Sequence, residues 1–173
     1  MATIKRKGYG QVEPNHLSAQ RTGQIYAQLI AKSNINLLEN GQFVKYDYEN
    51  REVNFTGDGE WLMVFNEIKL YDPRKTGYQY FAQKKTDFVD GEIVPRCFKL
   101  NVGDIYTTNT LEAAAGEDAE TTGVSIAVGA ELTPASGTGY LTTAGENDTY
   151  KLKVVAITTM PDGQDAVKLQ RIS

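Results

Sequence analysis

From Phe43 onward the chain alternates apolar and polar residues in short runs closed by Gly, Asn, Asp or Pro clusters, the period-2 texture of strands and tight turns. GQFVKYDYENREVNF at 41–55 predicts a hairpin about the polar turn Glu49-Asn50-Arg51, and Thr56-Gly57-Asp58-Gly59 predicts a second turn. Trp61-Leu62-Met63-Val64-Phe65, the most apolar run, predicts a strand covered on both faces. Glu67 to Tyr71 continues the alternation until Asp72-Pro73 stops it, and RKTGYQYFAQKKTDF then predicts a surface loop or a short helix around Tyr80 to Lys84. Glu92 to Leu100 predicts another strand, which Pro95 pushes toward an edge or a bulge because proline lacks a ladder donor.

The final third repeats a local device. LNVGDIYTTN at 100–109 and IAVGAELTPA at 126–135 share the order apolar, x, Val, Gly, x, x, x, Thr, with the glycine permitting a tight turn between strands. Between them LEAAAGEDAETTG is acidic and rich in small residues, suiting one helical turn or a loop. GYLTT at 139–143 and TYKLKVVAITTM at 149–160 predict strands, and the latter pairs with AVKLQRI across the turn Pro161-Asp162-Gly163. The expected fold class is therefore mainly β, a small β-barrel or sandwich over residues 41–173, with Trp61, Val64, Phe98, Val102, Val154 and Leu169 in its core.

Residues 1–40 have a different composition, rich in Gln, Asn, Ser and Ala and broken at Gly8, Gly10 and Pro14. They read as an extended, partly helical N-terminal arm. LSAQRTGQIYAQL at 17–29 suits one amphipathic helix capped by Ser18, although Gly23 costs about 1 kcal/mol against alanine.

Charge sharpens that division. The 173 residues carry a net charge of −4, but residues 1–40 sum to +3 and residues 111–173 to −5, so the two ends meet different surroundings or each other. With 40% hydrophobic residues the chain can bury a sizeable interior. No apolar run approaches the roughly 20 residues that span a bilayer, and the basic start lacks the apolar core of a secretory signal, so the expectation is no membrane contact and synthesis in the cytoplasm.

Candidate chemistry is sparse. The one cysteine, Cys97, excludes an internal disulfide and reads as a small buried hydrophobe; the one histidine, His16, reaches it only if the terminal segment folds back onto that particular strand. GDGE at 57–60 lacks the remaining ligands of a calcium loop, and GYG at 8–10 and SGTG at 136–139 do not lead into phosphate-binding helices. Acidic pairs such as Asp58 and Glu60, or Glu117 and Asp118, are not singled out by any pattern. Lys5-Arg6-Lys7, and Tyr78, Tyr80 and Phe81 among flanking lysines, are basic and aromatic clusters, but a sequence pI near 5.1 argues against specific nucleic-acid binding. The expectation is a non-enzymatic protein without cofactor or metal.

The polar segment MATIKRKGYGQVEPNHLSAQRTGQIYAQL, the stretches YDYENREVNFTGDGEWLMVFNEIKLYDPR and FVDGEIVPRCFKLNVGDIYTTNT, and the closing MPDGQDAVKLQRI resemble the capsid decoration, cement or auxiliary structural proteins of tailed bacteriophages. That resemblance implies a β-rich domain held in many copies on the capsid surface of the virion. The resemblance further implies that such a domain bridges subunits of the major capsid protein beside copies of itself, with a terminal arm gripping the lattice. No motif carries contact residues over; composition alone nominates Lys5, Arg6, Lys7, Ile25, Tyr26, Leu29, Tyr78, Tyr80 and Phe81. The alternative is a head-fibre or carbohydrate-binding adhesion module, favoured by the packing of sugar faces on rings such as Tyr78 and Tyr80.

Overall fold

The C-terminal hairpin organises the larger sheet. Tyr150, Leu152 and Val154 alternate with Lys151 and Lys153, so that β14 (Leu152–Thr159) buries one face and solvates the other. It pairs antiparallel with β15 (Asp165–Arg171) across the predicted Pro161-Asp162-Gly163 turn, where the Met160 N–H donates to Gln164 O at 2.7 Å. A bulge between Val154 and Ala156 adds twist. The structure, a computed structural model, describes residues 1–6, 8–17, 29–66, 81–112 and 124–173. Among these the chain is mainly β, with a curled half-barrel sheet and one 3-10 turn at Lys85–Asp87.

Around that hairpin runs an antiparallel six-stranded sheet in the order β13-β12-β14-β15-β10-β2. Here β13 is Leu141–Thr143, β12 Glu131–Pro134, β10 Ile105–Thr108 and β2 Val12–His16. The two VG repeats enter it identically. Gly103 and Gly129 adopt φ of 97° and 90°, the left-handed region that glycine enters freely. Each glycine N–H donates to the hairpin, to Arg171 O and Val154 O respectively. The repeat also places Leu100 and Ile126, then Tyr106 and Leu132, in the same core.

The second sheet has the order β3-β6-β5-β7-β9, with β3 at Ile30–Ala31, β6 at Glu52–Asn54, β5 at Phe43–Asp47, β7 at Trp61–Val64 and β9 at Cys97–Phe98. Only β3 and β6 run parallel. The predicted hairpin is β5–β6, its turn held by Asp47, whose carboxylate accepts the Asn50 N–H at 3.0 Å. β7 is covered on both faces, as its unbroken apolar run requires: Met63 joins Phe43 against the six-stranded sheet, while Leu62 and Val64 join Val44, Val53 and Cys97 in a second core. The five-stranded sheet is thus a wall between two apolar clusters.

Four expectations change. The extended, partly helical arm is not supported: β1 (Ala2–Ile4) pairs with β11 (Val124–Ile126), β2 joins the large sheet, and Ile4 and Leu17 are buried in the first core. Within this segment Ala2, Ile4 and Val12 lie on short strands, whereas the proposed helix over 17–29 falls mostly on 18–28, outside the described residues. Of the loop or short helix expected over 74–88, residues 74–80 lie outside the described residues, and Ala82–Lys84 form a strand, β8, paired with β4 (Leu37–Glu39). Val102 is 67% exposed, because the VG valine occupies the turn tip rather than the strand end. Residues 91–96 form no strand; Pro95 leaves only the two-residue edge strand β9. Val64, Phe98, Val154 and Leu169 are buried as expected, and Trp61 is half-buried against the first core.

Phe43 is fully buried at the sheet junction, its backbone N–H bound to Gly139 O at 2.8 Å and its ring edge-on to Tyr150 at 5.7 Å. Phe43→Ala is expected to cost about 3–5 kcal/mol in urea unfolding, against less than about 0.5 kcal/mol for Val102→Ala. Equal costs would contradict this placement of the core.

Candidate functional site

Three features stand out from an otherwise ordinary β surface: a buried polar hub, a polar groove and an exposed apolar loop.

The hub forms around the Glu39-Asn40-Gly41 turn. Arg6 Nη1 lies 2.6 Å from Glu39 Oε2, and both side chains are fully buried. The same carboxylate oxygen accepts the Gly10 N–H at 3.1 Å. Gly10 must be small here, since a Cβ would strike the Thr110 hydroxyl and come within 2.9 Å of Arg6 Nη1. Thr110 Oγ1 donates to Asn40 O at 2.8 Å, and Asn40 and Asn66 exchange side-chain and backbone hydrogen bonds at 2.8 and 3.2 Å. Gln11 extends the network: its N–H donates to Asn109 Oδ1 at 2.8 Å and its side chain to Asp162 Oδ2 at 2.9 Å. Burial raises the Asp162 carboxyl pKa, but hydrogen bonds from Gln11 and Gln164 outweigh that and leave it lowered. Tyr140 sits beside the pair, with Arg6 Cζ 5.5 Å from its ring centre; burial, then the Glu39 charge, pushes its phenol up to about 12.

The groove, about 460 Å³, opens where the β12–β13 hairpin approaches the β5–β7 pair. Lys45 and Trp61 are cross-strand partners, and the ammonium lies 4.7 Å from the indole centre. Opposite them stand Thr133 and Thr142, also cross-strand partners. Ser136, Asn147 and Thr149 contribute further polar lining. The Asn147 loop is stapled by Asp148 Oδ2, which accepts the Gly145 N–H at 2.6 Å.

The apolar loop follows the 3-10 turn. Phe88, Val89 and Val94 are exposed, Val89 completely, and an Ala31 N–H to Ile93 O bond of 2.8 Å ties this loop to β3, whose Ile30 is also exposed.

These features coincide little with the residues nominated from sequence. Arg6 is inside the hub, so Lys5-Arg6-Lys7 is not a surface basic cluster, although Lys5 itself is exposed. Leu29 packs half-buried on the second core and Phe81 is half-buried before β8. Lys7, Ile25, Tyr26, Tyr78 and Tyr80 lie outside the described residues. Cys97 is buried and its thiol pushed up to about 12 by desolvation, while His16 is exposed on β2 of the other sheet. Among the described residues no group of three or more His, Cys, Asp or Glu is placed to hold a metal ion. Sequence reasoning missed Glu39 and the groove residues Lys45, Thr133, Thr142 and Asn147. The one available signal was the charge contrast between the basic first 40 residues and the acidic remainder.

Comparison with protein-family models, with curated proteins and with solved structures found no match.

The Arg6–Glu39 pair generates a sharp expectation. Arg6→Met leaves a buried carboxylate without its cation and should cost about 3–5 kcal/mol in denaturant unfolding, whereas Arg6→Met with Glu39→Leu should recover a good part of that loss. A double variant no more stable than the single one would contradict a pairing role for Arg6.

Proposed function

We propose that the chain is a non-enzymatic structural protein of a tailed-bacteriophage virion that decorates the capsid and stabilises it by bridging major capsid protein subunits. In this reading the two packed sheets are a small β-sandwich-like body, displayed in many copies on the capsid surface. The observation that carries it is the exposed apolar loop: Phe88, Val89 and Val94, like Ile30 of β3 to which the loop is tied, leave large hydrophobic side chains in water. Exposed apolar side chains on a loop of this kind suit a protein–protein contact. The sequence resemblance to decoration and cement proteins supplies the partner.

Bridging explains how a modest surface suffices. Once one contact is made on a lattice, the next is effectively intramolecular, so several weak contacts resist the separation of neighbouring subunits. A rigid β body transmits that resistance, because its edges are tied together through the buried hub rather than through a loose linker.

Mass spectrometry of purified particles, with co-sedimentation of the isolated chain on capsids, tests the proposal. The chain is expected in mature particles, and Phe88→Ser with Val89→Ser is expected to weaken capsid binding more than about tenfold, roughly 1.4 kcal/mol, while leaving thermal unfolding nearly unchanged. Absence from particles together with no capsid binding by the wild-type chain overturns it.

A further inference from the structure

We propose that the groove between the β12–β13 hairpin and the β5–β7 pair is a binding subsite for a neutral saccharide. The proposal does not rest on the capsid reading, and either stands if the other fails.

Its chemistry argues for that ligand class in three steps. First, the groove offers a ring and hydroxyls together: Trp61 lines a volume of about 460 Å³ with a set of Thr, Ser and Asn side chains. A sugar needs that combination, an apolar C–H face to lay on an aromatic ring and a belt of hydroxyls to exchange hydrogen bonds. The volume lies in the ordinary range for small-ligand clefts, about 300–1,000 Å³.

Second, the polar groups are held in place before any ligand arrives. Thr133 and Thr142 stand opposite each other in the β12–β13 ladder, so their hydroxyls project on the same face, and Thr133 is only 8% exposed. Their β-branched side chains have few rotamers to lose. The Asp148 to Gly145 bond closes the loop that carries Asn147 to the rim. Preorganised donors and acceptors lose less entropy on binding than mobile ones.

Third, the charges cancel. The lining contains one cation, Lys45, and one carboxylate, Asp148. The ammonium is drawn onto the indole at 4.7 Å, and the carboxylate is engaged by the Gly145 N–H. An anionic or cationic ligand finds no surplus of opposite charge, whereas an uncharged polyol meets a ring, dipoles and two charged groups already engaged by neighbours. Lys45 lies over the same indole and is the group that a stacking sugar displaces or slides beside.

Trp61 is the only tryptophan in the chain, so its fluorescence reports on the groove without a label. The full chain is titrated with neutral mono- and disaccharides, with inorganic phosphate as a charged control, and saturation-transfer NMR on the same sugars detects binding that leaves the emission unchanged. The expected result is saturable binding of at least one neutral sugar at millimolar concentration or below, and none of phosphate. Thr142→Val and Asn147→Ala should each weaken it about three- to tenfold, the worth of one hydrogen bond, with thermal unfolding unaltered. Tyr78→Ala and Tyr80→Ala should bind as the wild type does. No saturable sugar binding by either method overturns the proposal. So does binding that survives both groove substitutions, or that is lost only in the tyrosine variants, since the ligand would then sit elsewhere.

Discussion

A charge pair taken fully out of water constrains the fold more than any apolar contact here. Arg6 and Glu39 meet at 2.6 Å with both side chains completely buried. Desolvating each ion costs several kcal/mol, and only close, well-oriented partners offset it. The pair therefore tolerates little displacement, and neither do the segments that bring it together. Residue 6 comes from the stretch between β1 and β2, residue 39 from the end of β4, and Gly10 adds a backbone donor to the same carboxylate. Around them Asn40 links Thr110, from the large sheet, to Asn66, which follows β7, through hydrogen bonds at the seam between the two sheets. A polar seam fixes the relative placement of the sheets more specifically than interchangeable methyl groups would.

That seam positions the surfaces where binding is proposed. Gln42, three residues beyond Glu39, donates its side chain to Thr138 O at 3.0 Å, and Phe43 N donates to Gly139 O. These contacts pin the loop before β13 against β5 and hold open the groove beside Trp61. On the far side of the five-stranded wall, the second core supports β3 and the chain through Ile93, from which Ile30, Val89 and Val94 project. Two dissimilar surfaces, one polar and concave and one apolar and protruding, thus hang from the same sheet.

Much of the β architecture was legible in the sequence. Period-2 alternation located the C-terminal hairpin, the 43–54 hairpin and the doubly covered strand at Trp61, because in each the pattern repeats over enough residues to exceed local noise. The paired VG motifs were found by self-similarity, though not that their valines face water. The strands among the described part of the first 40 residues were not legible for a physical reason: strands of two to five residues such as β1, β3 and β4 carry too few positions to establish a period. Their partners lie up to about 120 residues away, beyond any local signal. The hub was illegible for the same reason. Arg6 looks like one member of a solvated basic run, and nothing near it in sequence announces a carboxylate 33 positions on. The groove combines residues 45, 61, 133, 142 and 147, whose meeting is a property of sheet order alone.

The central claim, that the N-terminal segment belongs to the body through the buried pair, is tested most directly by native-state hydrogen exchange at Gly10 and Gln11. Their N–H groups donate to Glu39 and to Asn109 Oδ1, while the Val154 N–H lies in the heart of the hairpin, bound to Ala130 O at 2.9 Å. If the pair unites the fold, the Gly10 and Gln11 amides exchange only as slowly as Val154, through global opening. Fast exchange at both while Val154 stays protected would show that residues 1–17 detach on their own and would contradict the account.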